Sequence, residues 1–196
     1  MKKRYIFSCG DINGIGPEIV IKSLNRLSGK KGNQFIFICP GNVFKEISSL
    51  IRPSFKVKVV KKVDEIDGED IILFDTGMFK LTSGKPTKSS GKAAFLSLEI
   101  AAELLMRNLA DALITAPISK EALNEAGYRY PGHTELLAEW FQTRDFAMMF
   151  LSRKLKAALA TIHKSLSHVP GLLSKQRLES VSDVILNSLK KDFRIN

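Results

Sequence analysis

The residues best suited to chemistry at neutral pH are the three histidines, His133, His163 and His168. Imidazole binds metals, transfers protons and forms hydrogen bonds near neutral pH. His133 lies in the segment PGHTE (131–135), which brings an imidazole, a hydroxyl and a carboxylate into one turn. This combination favours the binding of a small polar molecule. The alternative is a solvated loop histidine beside Thr134, with that threonine capping the following helix.

His163 follows the apolar run KAALATI (156–162), and His168 lies in the loop beyond it. Open α/β sheets bind ligands at the carboxyl ends of their strands, where His163 is predicted to lie. A lone histidine there is more often a structural residue than a ligand, but its small apolar neighbours argue against a chance surface position. Metal sites use three or four ligands. The sequence offers two good candidates, His133 and His163, with His168 as a weaker third.

Two strand-to-helix connections carry further candidates. The first, GDINGIGPE (10–18), has glycines that permit close backbone approach and a helix start suited to an anion. It matches neither GxGxxG nor GxxxxGK followed by Ser or Thr, so a tight structural turn is the favoured interpretation. The second, TAPISK (115–120), offers Ser119 as a helix N-cap. It also offers Lys120 as a cation for a substrate carboxylate or phosphate, although capping is the favoured explanation.

Alternating strands and helices must position these residues. Strands are predicted at 4–8, 35–39, 56–60, 71–74, 111–116, 146–151 and 156–162. Helices are predicted at 17–27, from the turn 40–42 to residue 51, at 90–108, after residue 119, at 133–141 and at 174–189. The last helix is expected to face inward with Leu178, Val181, Ile185 and Leu189. This alternation of strands and helices predicts an α/β fold with a mostly parallel sheet flanked by helices. The polar stretch 77–91 is a long loop, either functional or mobile.

The composition narrows the class of protein. With 196 residues, 44% of them hydrophobic and 26% charged, the chain suits one domain or one domain and part of a second. The net charge of +10 is scattered and lacks interleaved aromatic residues, so no nucleic-acid partner is predicted. Cys9 and Cys39 are expected as buried thiols in a reducing cytosol. No apolar run approaches the roughly 20 residues that span a membrane, so a cytoplasmic protein without membrane contact is predicted.

Four segments carry a resemblance to a known family: GDINGIGPEIVIKSL (10–24), SSGKAAFLSLEIA (89–101), TAPISKEALNEAGYRYPGHTELLAEW (115–140) and AMMFLSRKLKAALATIHKSL (147–166). They closely resemble the 4-hydroxythreonine-4-phosphate dehydrogenase family of vitamin B6 (pyridoxal phosphate) biosynthesis. The PGHTE and ATxH segments, in this order, make the resemblance specific. It extends from the first strand to the last helix.

The resemblance implies a fold similar to isocitrate and isopropylmalate dehydrogenases, with two α/β domains around a cleft and a homodimer whose active sites use both subunits. Family enzymes oxidise the substrate hydroxyl with NAD or NADP, and the resulting β-keto acid loses its carboxylate. By this resemblance His133 and Thr134 contact the small phosphorylated hydroxy-amino acid, and His163 ligates a divalent metal such as Zn, Mg or Co. The metal would polarise the hydroxyl and stabilise the enolate. The resemblance assigns no catalytic or cofactor-binding residue within this chain.

Two departures from the family accompany this resemblance. The stretch Asp11-Ile12-Asn13 stands where the family usually has Glu-Pro-Ala. Residues 1–196 correspond to about the first three-fifths of a family-length protein, so a partial dehydrogenase-like chain, truncated at its C-terminus, is expected. The two other metal-binding histidines, much of the substrate site and most of the dinucleotide site would then be missing. The 196-residue chain alone is expected to be inactive and to associate through uncovered apolar surface. The alternative is a non-catalytic truncated remnant that acts at most as a binding module.

Overall fold

The computed structural model describes residues 2–143 and 145–195. The chain divides into two compact units, Met1–Leu137 and Ala138–Asn196. Within the described residues, no helix is long and apolar enough to cross a membrane.

The first unit is built on a five-stranded parallel sheet with strand order β3-β4-β2-β1-β5. Its strands are β1 (Lys3–Ser8), β2 (Asn33–Cys39), β3 (Lys58–Val60), β4 (Ile71–Asp75) and β5 (Ala112–Ile114). Its helices are α1 (Gly16–Leu27), α2 (Gly41–Ile51), α3 (Lys88–Met106) and α4 (Lys120–Glu125), and α5 (His133–Trp140) runs across the boundary between the units. The predicted α/β fold with a mostly parallel sheet and flanking helices is confirmed.

Both faces of this sheet are covered, which explains why its central strands read as continuous apolar runs. In β2 successive side chains alternate between two buried clusters. Phe35 and Phe37 pack with residues of α1 and α2, whereas Ile36 and Ile38 pack with residues of α3. Cys9 and Cys39 are both free and buried in the first of these clusters, as predicted for core thiols.

The second unit contains an antiparallel pair, β6 (Met148–Leu151) and β7 (Lys156–Leu159), followed by α6 (Val169–Leu172) and α7 (Lys175–Lys191). The link between the two strands is short, and the Ser152 amide donates to the Leu155 carbonyl at 2.8 Å. So short a link permits only an antiparallel pair, because a parallel return needs a long crossover. β7 ends at Leu159, opposite Met148 as the first residue of β6, and not at residue 162 as predicted.

The last helix differs from its predicted packing. Among the described residues of the second unit only Val181 is buried, and Leu178, which was expected to face inward, is exposed. The periodic pattern correctly predicts the helix. It does not predict that the described residues of this unit provide too little surface to bury the apolar side chains of the helix.

Candidate functional site

The first strand-to-helix turn packs directly on the loop that follows β5. Gly10 has φ +64°, and a Cβ atom at this position would lie 2.3 Å from the Pro117 carbonyl oxygen. The Asp11 amide donates to that same oxygen at 2.8 Å. Only glycine fits here, because both the backbone conformation and the close approach exclude a side chain. The turn and the loop therefore form one continuous wall at the carboxyl edge of the sheet.

Ser119 ends this loop as the N-cap of α4, where its hydroxyl accepts a hydrogen bond from the Ala122 amide at 3.1 Å. The predicted capping role is confirmed. Lys120 follows as the first residue of α4 and is exposed. A role of its ammonium group in binding an anion stays a prediction.

His133 begins α5, and its ring is tied to the same loop by a hydrogen bond with the backbone of Ala116. Its Nε2 atom is buried and has no hydrogen-bond partner among the described residues. In the tautomer that carries its proton on Nδ1, the lone pair of Nε2 is free to accept a hydrogen bond. The site thus contains a buried ring nitrogen that lacks a partner within the described residues.

Burial also sets the protonation state of this ring. It lowers the pKa of His133 below its ordinary value of 6.5, because the charged imidazolium loses solvation, and the hydrogen bond with Ala116 opposes this shift. The ring is therefore neutral at pH 7. A neutral ring with its proton on Nδ1 can accept a hydrogen bond from a hydroxyl or ammonium group, or bind a cation.

Thr134 and Glu135 occupy the next two positions of α5, and both are half-buried. A Cβ atom on Gly132 would lie 3.4 Å from a Glu135 carboxylate oxygen, so this carboxylate stays over the turn that precedes His133. A carboxylate in the first turn of a helix also complements the helix dipole. The structure thus brings the imidazole, hydroxyl and carboxylate of the PGHTE segment to one helix start.

The two remaining histidines belong to the second unit. His163 is exposed and has φ +55°, a left-handed conformation that is uncommon for residues other than glycine. His163 was expected directly after a strand, but β7 ends four residues earlier, at Leu159. His168 is exposed too, and its Nδ1 atom contacts the hydroxyl of Ser165. No group of three metal-ligating side chains occurs within residues 2–143 and 145–195.

Sequence reasoning missed one residue that shapes this edge of the sheet. Asn13, in the first turn, is only 4% exposed and forms hydrogen bonds with a distant loop. The available signal was a polar residue between apolar neighbours in a glycine-rich turn. Which backbone groups it meets depends on the tertiary fold and is not encoded locally.

The fold and the site define an open α/β protein with a buried, unpartnered imidazole nitrogen at the carboxyl ends of a parallel sheet, the usual place for a small-molecule site in such folds. A family model described as "Pyridoxal phosphate biosynthetic protein PdxA" matches residues 30–196. The chain belongs to this family, which confirms the resemblance found in the sequence.

Curated relatives agree with this assignment. The chain is 33% identical over 200 residues to a 4-hydroxythreonine-4-phosphate dehydrogenase of Geobacter metallireducens, an alignment that covers 100% of this chain and 59% of the relative. It is also 33% identical over 195 residues to a D-threonate 4-phosphate dehydrogenase of Salmonella typhimurium, covering 96% of this chain and 59% of the relative. The chain thus spans about three-fifths of the length of these relatives.

Solved structures give the same result for the fold. A crystal structure of 4-hydroxythreonine-4-phosphate dehydrogenase from Klebsiella pneumoniae has a TM-score of 0.86 and 34% identity, over 97% of this chain and 59% of that one. A second such enzyme, from Burkholderia phymatum, has a TM-score of 0.78 and 27% identity, over 91% of this chain and 57% of that one.

Proposed function

We propose that this chain contributes one part of a dehydrogenase site that oxidises the hydroxyl of 4-hydroxythreonine 4-phosphate with NAD or NADP, a step in vitamin B6 biosynthesis. The observation that carries the proposal is the buried, unpartnered Nε2 atom of His133 at the carboxyl edge of the sheet. The names of the relatives support the substrate class. We also propose a cytoplasmic homodimer as the working form.

His133 and Thr134 are the residues that we assign to substrate binding. We assign the Nδ1 tautomer to the neutral ring of His133, which then offers the unpartnered Nε2 atom as an acceptor. A substrate hydroxyl or ammonium group is the matching donor. The hydroxyl of Thr134, one position further along α5, can both donate and accept, which suits a hydroxylated phosphate ester. Holding the substrate by its polar groups would fix the orientation of the C–H bond that is oxidised.

A divalent metal, when bound, would polarise the substrate hydroxyl and stabilise the enolate that decarboxylation leaves. The described residues do not by themselves fit such an ion, because they contain no cluster of three ligands and His163 is exposed. We therefore assign no step of the reaction to a metal. His163 stays our single candidate ligand for Zn, Mg or Co.

D-Threonate 4-phosphate is the second candidate substrate, because relatives named for it are as similar to this chain as relatives named for 4-hydroxythreonine 4-phosphate. The two compounds differ at C2, where one carries an ammonium group and the other a hydroxyl. Both groups donate hydrogen bonds, so the Nε2 acceptor of His133 suits either. Direct comparison of the two ligands separates these candidates.

Calorimetric titration of both compounds into the purified chain tests the proposal. His133→Asn keeps a donor near the position of Nδ1 but removes Nε2, and Thr134→Val removes only the hydroxyl. We expect each variant to weaken binding by roughly tenfold, the effect of one lost hydrogen bond to a polar ligand. His168→Asn and Thr143→Val are the matched controls, and both should bind like the parent chain. Absence of binding by the parent chain would contradict the proposal and favour a non-catalytic module.

Absorbance of reduced cofactor tests turnover in the same samples. We expect no NADH or NADPH formation from the 196-residue chain with either substrate and with Zn, Mg or Co added. The reason is that one exposed imidazole does not hold a catalytic metal. Turnover by this chain would show that its own residues complete the site.

A further inference from the structure

The polar segment that joins β4 to α3 is held in place by side chains from two other strand-to-helix turns. We call residues 76–87 of this segment the strap. Its composition, rich in glycine, threonine and lysine, is typical of a mobile loop. Its hydrogen bonds, in contrast, are those of a segment that is held in one conformation.

Asn13 anchors the second half of the strap. Its Oδ1 atom accepts from the Thr82 amide at 2.8 Å, and its carbonyl oxygen accepts from the Gly84 amide at 2.7 Å. Its Nδ2 atom donates to the Lys85 carbonyl at 2.7 Å and to the Thr87 hydroxyl at 3.1 Å. Both hydrogens of the amide are used, and the side chain is buried. Breaking these contacts would leave buried polar groups unpaired, which is costly.

Asn42 anchors the first half from the start of α2. Its Nδ2 atom donates to the Phe79 carbonyl at 2.8 Å, and its Oδ1 atom accepts from the Phe79 amide at 3.2 Å. Asp75 adds a third fixed point, because one carboxylate oxygen accepts from the amides of Gly41 at 2.7 Å and Gly77 at 2.9 Å. The strap is therefore tied to the turns after β1 and β2 as well as to its own strand.

The far end of the strap sets the start of α3. Thr87 is the N-cap of this helix and accepts from the Ser90 amide at 3.1 Å while it also accepts from Asn13. Asn13 itself lies two residues beyond Asp11, whose amide is bonded to the Pro117 loop beside His133. The turn between β1 and α1 thus contacts both the strap and the loop that forms the wall of the candidate site.

We infer that Asn13 and Asn42 lock the strap as a permanent wall at the carboxyl edge of the sheet, so that the strap does not act as a lid. Asn13 is the principal anchor, because it holds three separate residues of the strap through its side chain. The inference does not depend on which ligand the site binds. It implies that any closure over a ligand comes from elements other than the strap.

Residue-resolved hydrogen exchange of the purified chain tests this inference. In the parent chain the amides of Thr82 and Gly84 should exchange far more slowly than unstructured amides. Asn13→Ala should accelerate Thr82 by roughly tenfold or more, because its only described acceptor is lost. Asn13→Asp keeps that acceptor but loses the donors to the Lys85 carbonyl and the Thr87 hydroxyl, so the Thr82 amide should stay more protected than it is in Asn13→Ala.

Asn25→Ala is the matched control. This asparagine also bonds a distant backbone, accepting from the Ser54 amide at 2.7 Å, so its loss should leave exchange in the strap unchanged. Amides of β2 report global stability in every variant. Fast exchange of Thr82 in the parent chain would overturn the inference, and so would unchanged strap exchange in both Asn13 variants. The parent measurement decides the matter even when Asn13→Ala does not fold.

Discussion

The two units of the chain differ in how they bury apolar side chains. In the first unit, strands and helices enclose a continuous core on both faces of the sheet. Among the described residues of the second unit only Val181 is buried, whereas Phe150, Leu155 and Leu186 are 60%, 67% and 62% exposed. Both units have amphipathic helices. Only in the first unit do the described residues provide surfaces that bury the apolar faces of these helices.

This difference separates the candidate site residues into two classes. His133 and Thr134 begin α5 beside a packed core, and the His133 ring is bonded to the Ala116 loop. His163 lies in the open unit, is exposed and has a left-handed backbone conformation. A ligand-binding group needs neighbours that fix its orientation. The first two residues have such neighbours among the described residues, and His163 requires further protein surface to be fixed.

The largest expected difference between the units concerns helical leucines. Leu24 in α1 is fully buried and Leu186 in α7 is largely exposed, so the two form a matched pair. Leu24→Ala should lower the free energy of unfolding by about 2–5 kcal/mol, because it removes buried apolar surface and leaves a cavity. Leu186→Ala should change it by less than about 0.5 kcal/mol. Denaturant unfolding measures both. Similar losses from the two substitutions would mean that the second unit is packed in solution.

The buried hydroxyl of Ser97 tests the packing of the first unit. Ser97 in α3 accepts from the Cys9 amide at 3.0 Å and donates to the Ile38 carbonyl at 2.8 Å, which joins the ends of two strands to the helix. Ser97→Ala should cost about 1–3 kcal/mol of unfolding free energy, since two buried backbone groups lose their partner. Ser49→Ala, at an exposed helical position, is the control and should be nearly neutral. An equally neutral Ser97→Ala would contradict the packing described for this unit.

The smallest expected effect is a pH dependence that originates from His133. Burial holds its pKa below the ordinary value of 6.5, so the unfolded chain takes up the proton first as the pH falls. The free energy of unfolding should therefore decline as the pH falls from about 6.5 through the lowered pKa of the folded state. His133→Asn should remove this decline, while His168→Asn leaves it in place. Unfolding titrations at a series of pH values make the comparison, and identical profiles for all three proteins would refute the burial of this ring.

Much of the first unit was predictable from local pattern. The runs at 35–39 and 71–74 are long, apolar and bounded by turn residues, and both form central strands. Ser119 was predictable as an N-cap because a serine before a helix has one dominant use. The PGHTE segment predicted a helix start with three polar groups, and the structure has it there.

Other features were not predictable, for physical reasons. Asn13 is important through contacts with residues about 70 positions away, which no local period encodes. The exposure of Leu178 depends on the partner surface of α7 and not on its helical period. His163 was expected at a strand end because its preceding run is apolar, but β7 ends at Leu159, where its pairing with β6 ends at Met148. Tertiary contacts and strand pairing decided these three outcomes.

The proposed function requires that His133 bind the substrate through a neutral ring with a free Nε2 atom. Nitrogen-detected NMR of the histidine rings, during titration with 4-hydroxythreonine 4-phosphate at pH 7, tests it most directly. We expect a free state with the proton on Nδ1 of His133 and a saturable shift of its Nε2 resonance, with His168 unchanged. A His133 ring that is protonated on Nε2, or that does not respond while His168 shifts, would contradict the account.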